Sequence, residues 1–206
     1  MPKLVDHEKR KLEIAQATWV AIKARGIENL TLRDIAIEAG FTTGVFSHYF
    51  KDKNSVLRYS FIIAYRNAYD RIIKANEDIP DGFMRIRNAL VEILPDARRP
   101  ESIAFVSLCF GIRNSKDPLL AKEYKIKMAE LRESLNSYIL DVLNKDEIHI
   151  QKTPGELIDL FSALLDGLCI QALLDPKTHT RKRCIRTIEN MIEELSCKPT
   201  TNSASH

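Results

Sequence analysis

The spacing of apolar residues along the chain predicts a protein built of helices. Apolar side chains recur three and four positions apart through most of the 206 residues, and no stretch shows the strict alternation of a half-buried strand. The predicted helices cover approximately residues 7–25, 31–39, 43–49, 53–75, 83–94, 101–114, 117–144, 153–174 and 180–196. The fold class that follows is all-α.

The helix predicted over 153–174 has an unusual distribution of apolar residues. Its side chains are apolar nearly all round, whereas a surface helix needs only one apolar stripe. The next helix, 180–196, repeats isoleucine and leucine on one face. Two adjacent helices of this kind predict a subunit interface packed as a four-helix bundle. The residues expected to bury against a second copy are Leu164, Leu168, Ile188 and Ile192.

The stretch from Thr31 to Lys53 has the pattern of two short helices joined by a glycine turn. Thr31 is predicted to cap the first helix, with Asp34 as its partner in a capping box. Gly40 allows the turn, and Thr42 caps the second helix. Two helices this short bury little surface, so they must pack against neighbouring elements. This layout is a helix-turn-helix, whose second helix enters the DNA major groove.

The second of these short helices has the composition of a surface that contacts DNA. Its hydroxyl and imidazole groups can exchange hydrogen bonds with a groove, and Gly44 lets the backbone approach the sugar-phosphate chain. Asp52 can cap the following helix, so that Lys53 lies at a helix N-terminus, which favours a phosphate. The predicted DNA contacts are Thr31, Arg33, Thr42, Thr43, Gly44, Ser47, His48, Tyr49 and Lys53.

Other interpretations of this region stay open. His48 could be packed in the core instead of contacting DNA, and Arg33 could pair with a neighbouring acid. Trp19, in the first helix, is predicted to be a core contact. The residues predicted to hold the second short helix against its own core are Val45, Phe46 and Phe50.

The charge of the chain permits DNA binding without indicating it. The net charge is +3, and residues 1–55 contain nine Lys or Arg against seven Asp or Glu. The first eleven residues are predicted to form a polar arm. Its basic side chains could contact phosphates beside the groove, or the arm could be a solvated, frayed terminus. These side chains are Lys3, Lys9, Arg10 and Lys11.

Two motifs in this region resemble a known family. The segment AGFTTG at 39–44, followed by YFKDK at 49–53, resembles the signature of the TetR family of bacterial repressors. The segments TGVFSHYF at 43–50 and LLDGL at 164–168 are similar to the BetI-like branch of that family. The resemblance implies three helices for DNA and six for ligand binding and dimerisation. It also implies a cytoplasmic homodimer that binds a palindromic operator and is released by a small-molecule effector.

This resemblance and the helix pattern together predict how the chain is divided. The helix over 53–75 leaves the DNA-binding unit and enters the rest of the chain, and no Gly-, Pro- or Ser-rich linker interrupts it. A stiff connection of this kind can transmit movement. The predicted divisions are a DNA-binding domain, an effector-binding and dimerisation domain, and a disordered polar tail, at 1–52, 53–196 and 197–206.

The resemblance also implies a ligand pocket in the second domain. The aromatic residues that are candidates for lining this pocket could instead be packed in the core. An ion pair with Arg113 or a hydrogen bond between helices is the alternative for Asp166, because a carboxylate in an apolar helix needs a partner or a ligand. The candidate pocket residues are Tyr65, Tyr69, Phe105, Phe110, Arg113 and Asp166.

The BetI-like branch implies choline, a quaternary ammonium that aromatic cages hold best. Trp19 is the one tryptophan of the chain and lies in the DNA-binding part. Cys109 and Cys169 occupy stretches where that branch tends to have tryptophan. A more apolar or elongated effector is therefore as compatible with the sequence as choline.

The sequence shows no motif of an enzyme or of a metal site. It has no H-E-x-x-H, no G-x-S-x-G and no glycine-rich phosphate loop, and its five histidines are scattered. No catalytic residue, metal or cofactor is expected. The four cysteines form no C-x-x-C pair, so buried free thiols are expected, with a redox sensor as the alternative. We recognise no signal peptide and no apolar run long enough to cross a membrane.

Two other classes of regulator or binding protein stay open beside the ligand-responsive repressor. One is a ligand-blind regulator, or an activator, whose second domain only dimerises. The other is an interaction module that keeps the fold without binding DNA. The intact stretch 42–53 favours DNA binding over the second of these classes.

Overall fold

The computed structural model describes residues 2–111, 117–144, 150 and 152–196, except for the side chains of residues 2–6 and 43. Over these residues the chain forms nine helices and no strand, which confirms the all-α prediction. The predicted tail, 197–206, lies outside the described residues. The helices are α1 (Pro2–Arg25), α2 (Leu32–Glu38), α3 (Thr43–Phe46), α4 (Lys53–Asn76), α5 (Gly82–Ile93), α6 (Pro100–Gly111), α7 (Pro118–Leu143), α8 (Pro154–Leu174) and α9 (Arg181–Ser196).

The first helix begins at Pro2, so the prediction of a polar arm over the first eleven residues was wrong. Charged side chains three residues apart support the helix here. Arg10 Nη1 lies 2.7 Å from a Glu13 carboxylate oxygen, and Lys11 Nζ lies 2.9 Å from Glu8 Oε1. Arg10 and Lys11 therefore contribute to the stability of helix α1 itself.

The caps of the two short helices are formed as predicted. Thr31 accepts a hydrogen bond from the Asp34 backbone, and Asp34 accepts one from the Thr31 backbone at 2.9 Å. Gly40 has a positive φ of 69°, which confirms its role in the turn. Helix α3 ends at Phe46, three residues earlier than predicted, because the following residues form tighter turns in which Tyr49 N donates to the Phe46 carbonyl at 3.0 Å.

Helix α4 runs through the core and joins the two ends of the molecule. It packs against α1, α5, α6 and α7 without a break from Lys53 to Asn76. The Phe61 ring stacks on the Phe105 ring of α6, with centroids 5.7 Å apart. Trp19 is buried, and its Nε1 donates to the Ser60 carbonyl at 3.1 Å. The prediction of a core tryptophan is therefore confirmed.

Helix α8 is apolar enough to resemble a membrane helix. It has 21 residues and a mean hydropathy of 1.8, so by length and composition it could cross a membrane. The prediction that no run was long enough was wrong, because a helix covered on several sides has a similar composition. Only 28% of its apolar window is buried within the single chain. Part of its apolar surface is therefore left uncovered by the α6, α7 and α9 helices that it contacts.

The apolar residues of α8 and α9 face in two directions. Leu168 and Ile188 are buried within their own chain, so the prediction that they bury against a second copy was wrong. They lie on the faces by which α8 and α9 contact the rest of the fold. Leu164 and Ile192 are half-buried, and Leu174 at the end of α8 is 80% exposed. The outward surface of this helix pair thus keeps apolar side chains.

A buried carboxylate connects α9 to the segment between α5 and α6. Asp96 Oδ2 lies 3.0 Å from Arg98 Nη2, 3.5 Å from Arg99 Nε and 3.6 Å from Arg181 Nε. The hydrogen bonds from Arg98, with the positive charge of Arg181, hold the pKa of this carboxyl well below its usual range. Arg181 also donates to two backbone carbonyl groups near the end of α5, at 2.8 Å each. The sequence pattern did not indicate this network.

Candidate nucleic-acid interface and ligand cavity

The recognition segment, which we define as residues 42–49, presents one polar face to solvent. Thr42, Gly44, Ser47 and His48 are exposed, whereas Phe46 is buried beneath them. The exposure of His48 removes the alternative of a packed core histidine. The side chain of Thr43 lies outside the described part of the structure. The exposed side of the segment therefore carries the small and polar groups that a helix needs to contact bases in the major groove.

Internal hydrogen bonds determine which polar groups of this segment stay available. The Thr42 hydroxyl accepts a hydrogen bond from Val45 N at 3.3 Å and so caps α3. The Ser47 hydroxyl donates to the Gly44 carbonyl at 2.8 Å. Both hydroxyl oxygens can still accept further hydrogen bonds, because a hydroxyl oxygen has two lone pairs. The His48 ring makes no hydrogen bond to any described residue.

Helix α1 packs against the recognition segment, and against Phe41 just before it, through aromatic and cationic contacts. The His7 ring lies 4.9 Å from the ring of the half-buried Tyr49, and the Arg10 guanidinium lies 5.6 Å from the Phe41 ring. Contacts between a cation and an aromatic face are attractive. Helix α1 therefore helps to hold the Tyr49 ring, whose hydroxyl group is predicted to contact a phosphate.

The remaining predicted DNA contacts lie at the starts of α2 and α4. Thr31 and Arg33 are exposed, and Asp34 pairs with Arg25 at 3.2 Å. No ion pair joins Arg33 to an acid among the described residues, so its guanidinium can point to DNA. Lys53 begins α4 after the predicted Asp52 cap, and its Nζ donates to a backbone carbonyl, that of Ile27, at 3.4 Å.

Val45 is a surface residue that the sequence pattern placed wrongly. It was predicted to face the core with Phe46 and Phe50, but its side chain is 39% exposed. The two phenylalanines, four positions apart, lie on one face of the segment and are buried. A helix of four residues has only one buried face, so its third residue points elsewhere. The spacing of four residues between Phe46 and Phe50 is the feature of the sequence that could have predicted the exposure of Val45.

A cavity lies between α4, α5, α6, α7 and α8. It consists of two adjoining spaces of about 190 and 90 Å³, which share six lining residues. We call it the central cavity. Its walls are mostly apolar, and its polar lining residues are Cys109, Tyr124, Arg132, Ser134, Ser162, Asp166 and Cys169. The shared lining residues are Ile93, Tyr124, Met128, Leu131, Leu165 and Asp166.

The predicted pocket residues divide into two groups. Phe105, Phe110 and Asp166 line the central cavity. Tyr65 and Tyr69 are not among its lining residues. Their hydroxyl groups bond to α7: Tyr65 Oη donates to Glu130 at 2.7 Å, and Tyr69 Oη lies 3.1 Å from Oγ of Ser134, which does line the cavity. Arg113 lies outside the described residues. The cavity residues of α5 and α7 were missed, because their apolar spacing looks the same as core packing.

The polar groups of the central cavity have shifted pKa values. The apolar walls displace water around the Asp166 carboxyl and raise its pKa, although the residue is still exposed in the single chain. Asp166 has no ion-pair partner among the described residues. Burial also raises the pKa of the Tyr124 hydroxyl and of the Cys109 and Cys169 thiols. The thiols are therefore protonated at neutral pH, which makes them poor nucleophiles.

No group of three or more His, Cys, Asp or Glu residues in the described ranges has the arrangement of a metal site. The central cavity has the mostly apolar lining of a ligand-binding site. Its walls can bury an apolar molecule, while Asp166 and Tyr124 can orient a polar or cationic group.

Comparison with known families matches both parts of the chain. Residues 14–59 match the family model described as bacterial regulatory proteins of the tetR family. Residues 84–196 match the model of the C-terminal domain of BetI-type transcriptional repressors. The first match contains the helix-turn-helix, and the second contains most of the central cavity.

Individual relatives and solved structures agree with these matches. The transcriptional regulator PksA of Bacillus subtilis is 30% identical over 97% of this chain and 96% of its own length. BetI of Escherichia coli is 29% identical over 86% of this chain and 89% of its own length. Two solved structures share the fold. A regulator from Rhodococcus sp. has a TM-score of 0.79 and 19% identity, and the match covers 92% of this chain and 100% of that one. A regulator from Saccharomonospora viridis in complex with choline has a TM-score of 0.78 and 22% identity, and the match covers 90% of this chain and 96% of that one.

The BetI-type match alone covers more than half of the chain, and a relative at 30% identity spans nearly all of it. The resemblance seen in the sequence motifs is thereby confirmed. The chain belongs to the TetR family of DNA-binding bacterial transcription regulators, with a C-terminal domain of the BetI type.

Proposed function

We propose that this protein acts in the bacterial cytoplasm as a dimeric repressor that leaves its operator when a small molecule occupies the central cavity. The observation that supports this most directly is the path of α4. The helix begins at Lys53 beside the recognition segment, and Ile72 near its other end lines the cavity. A molecule that displaces the cavity end of α4 would also displace the end that carries Lys53.

Two further contacts link the cavity to the DNA-binding part. Arg58 in the first turns of α4 pairs with Asp117, the capping residue of α7, and α7 carries the cavity residue Tyr124. At the end of α6, a Cβ on Gly111 would lie 3.1 Å from the Ile27 side chain. Because the Ile27 carbonyl accepts the Lys53 ammonium, a shift of α6 would reach the DNA-facing end of α4.

The uncovered apolar surface of α8 and α9 supports the dimer. Leu164, Ile192 and Leu174 are half-buried or exposed there, although α8 has the composition of a helix covered on several sides. A second copy that covers this surface would complete a four-helix bundle. The two recognition segments would then contact two half-sites of a palindrome. We place the boundary between the DNA-binding and effector domains at Asp52 and Lys53.

The effector we propose combines an apolar body with one polar or cationic group. Ile93, Leu131 and Leu165 supply apolar walls along the cavity, and Asp166 supplies a carboxylate at its side. Choline is bound by one structural neighbour, the regulator from Saccharomonospora viridis. Choline and a longer apolar molecule are therefore the two classes of ligand to compare first.

The decisive experiment measures effector affinity with and without saturating operator DNA. Binding of effector and operator must be reciprocal, so the operator should weaken effector binding about 5- to 150-fold. Tyr124→Ala should weaken the effector about tenfold and leave operator affinity unchanged, because Tyr124 lines the cavity. Tyr138→Ala is the matched control, since this half-buried tyrosine lies on the same helix as Tyr124 but outside the cavity. Equal effector affinity with and without operator would instead favour the ligand-blind regulator.

A further inference from the structure

We propose that Val45 recognises the C5-methyl group of a thymine in each operator half-site. This inference rests on the proposed binding of a palindromic operator. It concerns one specificity contact within that interface, and it comes from the position of an apolar side chain that is not part of the core.

The side chain of Val45 is exposed in the middle of the polar recognition segment. Its exposed fraction is 39%, against 2% for Phe46 and 7% for Phe50. Val20 and Ile37 are exposed to 37% and 65%, so exposure alone does not distinguish Val45. Its distinction is that it belongs to α3, the helix that enters the major groove in this fold.

The chemistry of valine restricts what it can recognise there. An isopropyl group has no hydrogen-bond donor or acceptor, so it cannot read the pattern of donors and acceptors on the base edges. The thymine methyl group is the apolar feature that the major groove presents. An exposed valine facing the groove therefore complements a thymine better than any other base.

The surroundings of Val45 allow this contact and keep its backbone in place. A Cβ on the preceding residue, Gly44, would meet nothing closer than the Thr42 hydroxyl at 4.0 Å, so there is open space beside Val45 for a DNA strand. The Val45 N–H is already bonded to the Thr42 hydroxyl at 3.3 Å. The valine therefore contributes its side chain to recognition, and its amide group contributes to the cap.

The test removes the methyl group from the DNA and the isopropyl group from the protein. An operator is first obtained by selection from random duplexes with the full-length wild-type protein. Each thymine is then replaced singly by deoxyuridine, which lacks only the C5-methyl group. Operator affinity is measured by fluorescence anisotropy for the wild type, for Val45→Ala and for Val20→Ala. Val20 is the matched control, because it has the same side chain and nearly the same exposure on α1.

We expect one thymine in each half-site at which deoxyuridine weakens wild-type binding about fourfold, and about 15-fold when both half-sites are changed. These factors correspond to a buried methyl group worth about 0.8 kcal/mol. Val45→Ala should bind the thymine operator more weakly and should show no further loss with deoxyuridine at those positions. Val20→Ala should behave as the wild type.

Equal losses in the wild type and Val45→Ala at every deoxyuridine position would overturn this inference and leave the proposed function intact. The same holds if no thymine responds in the wild type. If selection yields no enriched sequence, the proposed function itself fails and the inference fails with it. Circular dichroism of Val45→Ala should match the wild type, because the side chain is not part of the core.

Discussion

The helix-turn-helix and the central cavity are specified over very different distances along the chain. The DNA-facing surface comes from one stretch, Thr31 to Lys53, and its caps join residues three positions apart. The cavity is lined by residues from Ile72 to Cys169 on five helices. A short motif can therefore be recognised in the sequence, whereas a cavity depends on how distant helices pack.

The ion pairs of the two regions differ in how far their side chains are buried. In the DNA-binding part, Arg10 and Glu13 are neighbours on one helix, and both are substantially exposed. In the larger part, Arg71 of α4 lies 2.9 Å from Glu92 of α5, and the buried Asp96 lies near Arg181 of α9; these side chains are much less exposed. Exposed neighbouring pairs add little to stability, while removing one partner of a buried pair costs much more. We therefore expect the larger part to dominate the stability of the protein.

The largest expected effect distinguishes residues in the core of the larger part from residues on the proposed dimer surface. Ile188→Asp should destabilise the protein by about 4 kcal/mol or more, because it places an unpaired carboxylate at a fully buried site. Ile192→Asp, one turn further and half-buried, should stay folded but dissociate into monomers and lose operator binding. Urea denaturation at fixed protein concentration and light scattering measure the two effects. A stable, folded Ile188→Asp monomer would contradict the separation.

A smaller effect is expected at the Asp96 network. Asp96→Asn should destabilise the protein by about 3 kcal/mol at neutral pH, because Arg181 loses its buried carboxylate partner. The native pKa of Asp96 is lowered, so its contribution is present above about pH 5 and is lost as the pH falls. The loss of stability on acidification should therefore be smaller in Asp96→Asn than in the wild type. Chemical denaturation across this pH range measures it.

The control for this prediction is Asp159→Asn. The Asp159 carboxylate pairs with Arg132 at 3.0 Å, but its side chain is 76% exposed. Its removal should cost less than about 1 kcal/mol. Equal losses for Asp96→Asn and Asp159→Asn would contradict the expected difference between buried and exposed pairs.

The smallest effect concerns two capping boxes with the same chemistry. Thr31 and Asp34 cap α2, and Thr153 and Glu156 cap α8. Replacing either threonine with alanine should cost about 1 kcal/mol of stability. Only Thr31→Ala should also weaken operator binding, about fivefold, because Thr31 is a candidate phosphate contact. Denaturation and operator titration of both variants test this; equal operator affinities would exclude the contact.

Local rules predicted much of the fold from the sequence. The caps at Thr31, Asp52 and Thr153 were predicted and formed, because capping depends on residues within one turn. The same reasoning missed the start of α1, which begins at Pro2 and not near residue 7. Val45 was also predicted to face the core, although its spacing from Phe46 and Phe50 places it on a different face of the segment.

The direction in which an apolar side chain points was harder to predict. Leu168 and Ile188 were expected at a dimer surface but lie in the core of their own chain. Tyr65 and Tyr69 were expected in the ligand pocket, but their hydroxyl groups bond to Glu130 and Ser134. An apolar or aromatic residue at helical spacing has the same pattern whether it faces a core, a cavity or a partner.

The sequence by itself determined that this protein is all-helical, where most of its helices begin and end, and that residues 31–53 form a helix-turn-helix of the TetR family. These properties depend on periodicity, caps and a contiguous motif. Tertiary structure alone decided that five helices enclose the central cavity, that Asp96 joins α9 to the end of α5, and that Leu168 and Ile188 lie in the core of their own chain. Those features arise from contacts between residues far apart in the chain, which no local pattern records.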